Sequence, residues 1–212
     1  MFIHNPLYLP YCYSEDSEEK GRIYKTPFGK EYPSITTILG KRDKSFLEDW
    51  KKKIGEKEAA KILKESQLKG NDLHDKIERF LQNKKIEKIG HGSKNFTSIK
   101  PFLKKINNIL VQEGGLYSDI LEVAGRTDCI AEYEGIPSII DFKNSRNRKK
   151  EEWIENYFLQ GTFYSIALEE RTEVKIEEIV VLISNADGSV DEFKTNRNKW
   201  NDKLIEVVDM YR

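Results

Sequence analysis

The chain has 212 residues, with 34% charged and 38% hydrophobic side chains, a composition typical of a soluble globular protein with a sizeable buried core. Its 36 lysine and arginine residues balance 36 aspartate and glutamate residues. This balance excludes a strong overall positive field, so contact with a polyanion would depend on local clusters of charge. Two cysteines exclude a disulfide framework and a four-cysteine iron–sulfur cluster.

The N-terminal sequence predicts neither secretion nor membrane insertion. Met1 to Pro6 lack the basic and apolar segments of a secretory signal, and no stretch approaches the ~20 apolar residues of a membrane span. Because Cys12 and Cys129 are too few for a disulfide framework, a reducing, cytoplasmic location is expected.

The first half of the chain is predicted to be mainly helical. Residues 1–33 form an N-terminal extension that is irregular or contains short strands. Ser34 is the expected N-cap of a helix that Gly40 ends. Apolar residues at helical spacing continue the helical region over 34–113, with an exposed loop at 84–94 and a last helix at 99–111.

The second half alternates strands and helices. Strands are predicted at 116–123, 124–133, 137–143, 176–184 and 189–194, and helices at 151–170 and 197–211. This order predicts an α/β or α+β fold with a mixed central sheet flanked by helices. We expect a single domain over 1–212, with its core at 114–212.

Residues 125–143 have the pattern of a β-hairpin with two acids and a lysine on one face. With Glu134 and Gly135 as the two-residue loop, Asp128 lies directly opposite Asp141. Lys143 follows Asp141 by two residues and shares its face, because side chains alternate along a strand. Ile140 and Phe142 point to the other side, toward a core.

Two carboxylates that face each other across a hairpin repel, so this arrangement favours a cation between them. Carboxylate oxygens suit Mg²⁺ or Mn²⁺, and the sequence lacks a Cys/His set for zinc. Such a site has the composition of a divalent-metal nuclease centre, in which Lys143 stabilises charge on phosphorus. The alternative is a solvated hairpin face on which Asp and Lys side chains pair; the hairpin alone leaves both open.

Two helices carry further candidates. In helix 151–170, Gln160 interrupts an aromatic stripe that includes Tyr164, so it either points at the site or marks the boundary of the buried face. His74 shares helical spacing with Ile77 and Leu81. It is either a residue at the edge of the core or, if its helix passes over the hairpin, a metal ligand.

The run AGRTDCIAEYEGIPSIIDFKNS resembles the motifs of the PD-(D/E)XK nuclease superfamily. Within that superfamily it is most similar to the RecB-like exonucleases, which include phage exonucleases and the mitochondrial genome maintenance exonuclease. Segments that agree with that group in the same order are YPSITTIL at 32–39, Trp50-Lys51, Gly70 with His74, LYSD at 116–119, and Gln160 with Tyr164.

The resemblance implies a restriction-endonuclease-like core with helices arching over the active site. It implies an Mg²⁺ or Mn²⁺ site without an iron–sulfur cluster. Its implied metal ligands are His74, Asp128, Asp141, the carbonyl of Phe142 and, less closely matched, Glu113. Its implied catalytic residues are Asp128, Asp141, Lys143, Gln160 and Tyr164.

The same resemblance implies a DNA exonuclease of replication, repair or recombination that acts on single strands or DNA ends and could be phage-encoded. Asn144-Ser145 replace the usual Thr-Ser after the lysine, and Asn can still hydrogen-bond phosphate. The expected backbone contacts are Asn144, Ser145, Arg146, Arg148, Lys149 and Lys150. The alternatives are a structure-specific endonuclease on the same core and a non-catalytic nucleic-acid-binding protein.

Overall fold

The computed structural model describes residues 1–10, 12–17, 21–42 and 44–212. The first half contains β1 (Tyr13–Ser17), β2 (Gly21–Lys25), β3 (Glu31–Pro33), α1 (Ile35–Arg42), α2 (Lys44–Ile54), α3 (Glu56–Leu81) and α4 (Ser93–Leu103). The second half contains β4 (Ile106–Ser118), β5 (Val123–Tyr133), β6 (Ile136–Ser145), α5 (Glu155–Thr172), β7 (Glu178–Asn185), β8 (Val190–Asn196) and α6 (Asn201–Tyr211). Short 3-10 helices at Glu151–Trp153 and Arg197–Lys199 precede α5 and α6.

The central sheet has five strands in the order β4-β5-β6-β7-β8. Neighbouring strands in this sheet are antiparallel, except for β6 and β7, which are parallel to each other. Parallel neighbours need a crossover connection, and α5 lies in that connection. The predicted mixed sheet flanked by helices is therefore confirmed.

Helices cover both faces of this sheet, and strand alternation divides the core accordingly. On one face Ile139 packs in a cluster with Phe158 of α5 and Leu204 of α6. On the other, Ile140 packs with Leu73 of α3 and Ile99 of α4. A strand covered on both faces has no polar side, which explains the continuous apolar run of β7.

The predicted helix at 99–111 is wrong in its second half. Helix α4 ends at Leu103, and β4 begins at Ile106, where it pairs with Tyr133 of β5. The apolar residues of this segment fit helical spacing, but pairing with two distant segments decides its structure. On its outer side the N-terminal residues pair with it, since Asn5 N donates to Ile109 O at 2.9 Å and Leu7 N to Leu110 O at 2.9 Å.

Smaller differences concern element ends. Helix α1 continues past Gly40 to Arg42, although Ser34 caps it as predicted, with its Oγ accepting from Thr37 N at 3.0 Å. Strand β4 ends at Ser118, before the predicted end at 123, because residues 119–122 form a turn. The short strands expected in 1–33 are present as the three-stranded sheet β1-β2-β3.

Among the described residues, every helix is too short or too polar to cross a membrane.

Candidate active site

The β5–β6 hairpin has the predicted register. Residues pair from Tyr133↔Ile136 to Cys129↔Ile140, and the loop residues Glu134 and Gly135 both have positive φ, at 53° and 84°. Positive φ at both loop positions is typical of the type I′ turn, whose twist matches that of the strands. Asp128 and Asp141 occupy the next positions beyond the last pair. There Asp128 Oδ2 accepts a hydrogen bond from Phe142 N at 2.8 Å.

Asp141 is buried beside the lysine of the same strand. Lys143 Nζ donates to Asp141 Oδ1 at 2.6 Å, whereas Oδ2 is buried and has no hydrogen-bond partner among the described residues. Burial raises the pKa of Asp141 to about 6; the Lys143 charge opposes this rise and the Asp128 charge adds to it. The pKa of Lys143 is raised, because the attraction of Asp141 and Asp128 outweighs burial.

Three elements bring a possible metal-ligand group together next to this pair. His74 of α3 has Nδ1 3.7 Å from Asp128 Oδ1 on β5 and 3.9 Å from Glu113 Oε1 on β4. One ligand atom from each of the three residues lies within 4.8 Å of the other two. Burial lowers the pKa of His74, but the carboxylates of Asp128 and Glu113 raise it by more.

The backbone explains why Glu113 reaches this group. Glu113 lies between the paired positions Gln112↔Cys129 and Gly114↔Thr127 and has a φ of +47°, which L-residues rarely adopt. His74 is positioned by its neighbours on α3, because Leu73 and Ile77 are buried in the core. The sheet thus positions Glu113, and the helix positions His74.

These residues fit a divalent cation. The group of three offers two carboxylates and one imidazole, and Asp141 has one buried oxygen without a partner among the described residues. Oxygen-rich donor sets of this kind suit hard divalent cations. Asp141 and Phe142 are not part of the three-residue group, so their predicted ligand roles stay predictions.

Gln160 and Tyr164 of α5 also face this site. Gln160 Nε2 donates to Tyr164 Oη at 3.2 Å, and both side chains are buried. Burial raises the pKa of Tyr164 well above its usual value, so its hydroxyl is neutral. A Cβ on Gly125 would lie 2.9 Å from Tyr164 Cε1, so only glycine lets this ring approach β5.

A cavity of about 610 Å³, here named the site cavity, joins the three-residue group to the α5 pair, whereas Asp141, Phe142 and Lys143 are not among its described lining residues. Five predicted site residues line it: His74, Glu113, Asp128, Gln160 and Tyr164. Sequence reasoning missed the other lining residues, which are Arg22, Tyr24, Thr36, Asn71, Asp75, Glu78, Gly125 and Arg126. Arg126 lies two residues before Asp128 in the hairpin motif, so its side chain shares a strand face with Asp128, and this spacing could have predicted it as a site residue. Its Nε is 3.0 Å from Glu113 Oε2.

The residues predicted to contact DNA follow Lys143 and do not line the site cavity. Asn144 Nδ2 donates to Ser66 O at 3.3 Å, and Ser145 Oγ to Asn147 O at 2.6 Å, so the structure engages both within the protein. Arg146 is exposed. Contact of this segment with DNA stays a prediction.

Asp191 of β8 holds Arg148 and Lys149 of the basic run. Its Oδ1 accepts from Arg148 Nε at 2.9 Å, and its Oδ2 accepts from Lys149 N at 3.0 Å. Lys150 lies over the ring of Trp153, 5.2 Å from its centroid. The run is therefore an anchored segment, with the Arg148 side chain still 69% exposed.

A mixed sheet covered by helices, with an Asp-x-Lys strand next to a group of one histidine and two acids, is typical of the restriction-endonuclease-like fold class. The family model of the PD-(D/E)XK nuclease superfamily matches residues 37–210. The chain belongs to this superfamily.

Two curated relatives are mitochondrial genome maintenance exonuclease 1 of Mus musculus and of Homo sapiens. The mouse protein is 29% identical over 130 residues, which are 55% of this chain and 38% of the relative. The human protein is 26% identical over 147 residues, which are 62% of this chain and 40% of the relative. The match thus spans about two fifths of each relative. The alignment with a solved structure, that of SSO0001, covers 42% of this chain and 41% of the SSO0001 chain. The sequence identity is 20% and the TM-score is 0.30.

Proposed function

We propose that this protein is an Mg²⁺- or Mn²⁺-dependent DNA exonuclease that acts on single strands or DNA ends. The observation that carries this proposal is the group of His74, Glu113 and Asp128, with ligand atoms within 4.8 Å of one another, next to the Asp141–Lys143 pair. Superfamily membership supports hydrolysis of a phosphodiester. The names of the two relatives support exonuclease action, although the match covers about two fifths of each.

The proposed ligands are His74, Glu113, Asp128, Asp141 and the carbonyl of Phe142. The chemistry that a bound divalent cation supplies is activation of a water and neutralisation of charge on the phosphate and the leaving oxygen. Asp141 can contribute the oxygen that has no partner among the described residues without losing Lys143, because that lysine binds the other oxygen.

Lys143 and the α5 pair act on the substrate in this proposal. The Lys143 ammonium is held beside Asp141, where it stabilises the negative charge that develops on the phosphate oxygens. Gln160 uses its amide nitrogen on Tyr164, which orients the remaining amide oxygen toward a water or a substrate hydroxyl in the site cavity. Neither side chain of the α5 pair changes charge in this role.

The test is incubation of end-labelled DNA, linear and circular, single- and double-stranded, with Mg²⁺, Mn²⁺ or EDTA. We expect metal-dependent release of short products from linear single strands or ends, and no cleavage of closed circles. Circles cleaved as fast as linear strands would make the protein an endonuclease. Binding of DNA without metal-dependent cleavage of any of these substrates would make it a non-catalytic binding protein. The Asp141→Asn variant is the matched control for a contaminating nuclease.

A further inference from the structure

A second cavity of about 650 Å³ adjoins the site cavity. Tyr24, Glu113 and Arg126 line both cavities, so the two share a boundary. The second one, here named the N-terminal cavity, is bordered by residues 6–10 and 12–14 on one side and by β4 on the other. A chain in the site cavity would pass Glu113 and Arg126 to enter the N-terminal cavity.

The N-terminal segment is anchored so that one aromatic ring points away from the core. Leu7 N donates to Leu110 O at 2.9 Å, and Leu7 and Leu9 pack against the core. In an extended segment successive side chains point to opposite sides. Tyr8 accordingly faces solvent, and its residue is 90% exposed. Tyr8 is among the residues that border the N-terminal cavity, and its exposed ring is accessible at the edge of that cavity.

The lining of the N-terminal cavity suits bases better than phosphates. Among the described lining residues the charged ones are Glu113 and Arg126, which both lie at the shared boundary and pair with each other at 3.0 Å. The rest of the described lining is aromatic, aliphatic, small or uncharged polar, with Tyr8 and Tyr13 as exposed aromatic residues. Aromatic rings of this kind stack on bases, and stacking tolerates any base sequence because every base has a flat π face.

We propose that the N-terminal cavity is a base-binding subsite for single-stranded nucleic acid, occupied by nucleotides of the strand whose reacting phosphate lies in the site cavity. Tyr8 stacks on a base of that strand, and Arg126 lies beside the phosphate at the boundary. This inference rests on the proposed nuclease function. It adds that substrate recognition extends to the N-terminal segment, which lies outside residues 37–210 of the family match.

The test is a length series of end-labelled single strands, from about 4 to about 16 nucleotides, cleaved by the wild type and by Tyr8→Ala. We expect kcat/KM of the wild type to rise with length until the strand reaches the N-terminal cavity. Tyr8→Ala should cleave the shortest strands like the wild type and lose about fivefold or more in kcat/KM on the longer ones. Tyr8→Phe should restore the wild-type value, because it keeps the ring.

Phe28→Ala is the matched control, because Phe28 is 78% exposed and lines neither of the two cavities. It should match the wild type at every length. Equal kcat/KM for Tyr8→Ala and the wild type at every length would overturn the subsite and leave the nuclease function intact. An equal loss on all lengths, or the same loss in Phe28→Ala, would also overturn it. A wild type that cleaves no strand would overturn the proposed function first.

Discussion

Lys143 binds one carboxylate oxygen of Asp141 at 2.6 Å, while the second oxygen is buried without a partner among the described residues. Leaving a buried polar atom unsatisfied costs about 1–3 kcal/mol, a cost that a cation bound to this oxygen would offset. The pair also explains how a buried carboxylate remains available for ionisation, since the raised pKa of Lys143 keeps its ammonium charged beside it.

The first prediction concerns the Asp141→Asn variant. We expect it to abolish cleavage and to weaken Mn²⁺ binding, measured by calorimetry, because the amide supplies no anionic oxygen. The variant should remain folded by circular dichroism. Relief of the buried charge is offset by the loss of the anion that partners Lys143. Wild-type turnover in this variant would remove Asp141 from the site.

The second prediction uses the pKa of Asp141, which is raised from the usual 3.8 to about 6. Between these values the folded protein holds a proton that the unfolded chain has lost, so the free energy of unfolding falls as pH rises. Above pH 6, ionised Asp141 lowers the free energy of unfolding by the full amount, about 3 kcal/mol, because each pKa unit corresponds to about 1.36 kcal/mol. In EDTA, the stability of the wild type relative to Asp141→Asn should therefore fall between about pH 4 and about pH 6. Urea titrations over this range measure it, and a constant difference would contradict the raised pKa.

The third prediction separates chemistry from binding at Lys143. Lys143→Ala should lower turnover by about 10²-fold or more, because it removes a charge that stabilises the transition state. DNA affinity should change much less, since Asp141 and the ligand group remain. Single-turnover cleavage and fluorescence anisotropy measure the two quantities. Equal losses in both would make this lysine a phosphate anchor. The control is Lys199→Ala, since Lys199 is exposed and pairs with Glu151 instead of a site carboxylate.

Local patterns predicted the hairpin well. Its two-residue loop and the apolar runs on either side are contiguous in sequence, and a two-residue loop fixes the register. The observed pairing of Cys129 with Ile140 follows directly. Ser34 as an N-cap is equally local, since its side chain bonds the backbone three residues later.

Features that depend on distant partners could not be predicted in this way. Strand β4 pairs with β5 on one side and with residues near the N-terminus on the other, and these partners override its helical spacing. The positive φ of Glu113 arises in that same strand. Its contact with His74 of α3 therefore becomes visible only in three dimensions. The ion pair between Arg126 and Glu113 was missed for the same reason.

The fourth prediction concerns the basic run. Replacing Arg146 and Lys150 with Gln should weaken single-strand binding uniformly across sequences. It should also reduce the slope of log affinity against log salt by ~0.7 for each phosphate that the variant no longer neutralises. Anisotropy titrations at several salt concentrations measure the slope. The control replaces Lys175 and Lys203, two lysines outside the run that pair with Glu177 and Glu206. A slope equal to that of the control would show that the run is a solvated surface.

The last prediction concerns the pair on α5. Gln160→Ala should cut turnover at saturating DNA and leave the salt slope unchanged, because a neutral side chain releases no counterions. Tyr164→Phe tests how the pair works. The hydroxyl of Tyr164 accepts from Gln160 Nε2 at 3.2 Å, so its loss frees the amide to rotate and should reproduce part of the Gln160→Ala defect.

The Gly125→Ala variant on strand β5 tests the same Gln160–Tyr164 pair. Its new Cβ would lie 2.9 Å from Tyr164 Cε1 and 3.1 Å from Ile35 Cγ2. The Tyr164 ring must therefore shift, and its hydrogen bond to Gln160 shifts with it. We expect all three variants to lower kcat and to change KM less. The loss of kcat should be largest in Gln160→Ala, smaller in Gly125→Ala and smallest in Tyr164→Phe. Thermal melting separates this effect from unfolding, since a positioning defect persists at temperatures where each variant is folded. Wild-type kcat in a folded Gln160→Ala protein would leave the α5 pair a purely structural role, because its charge-free side chains would then have no measurable part in the reaction.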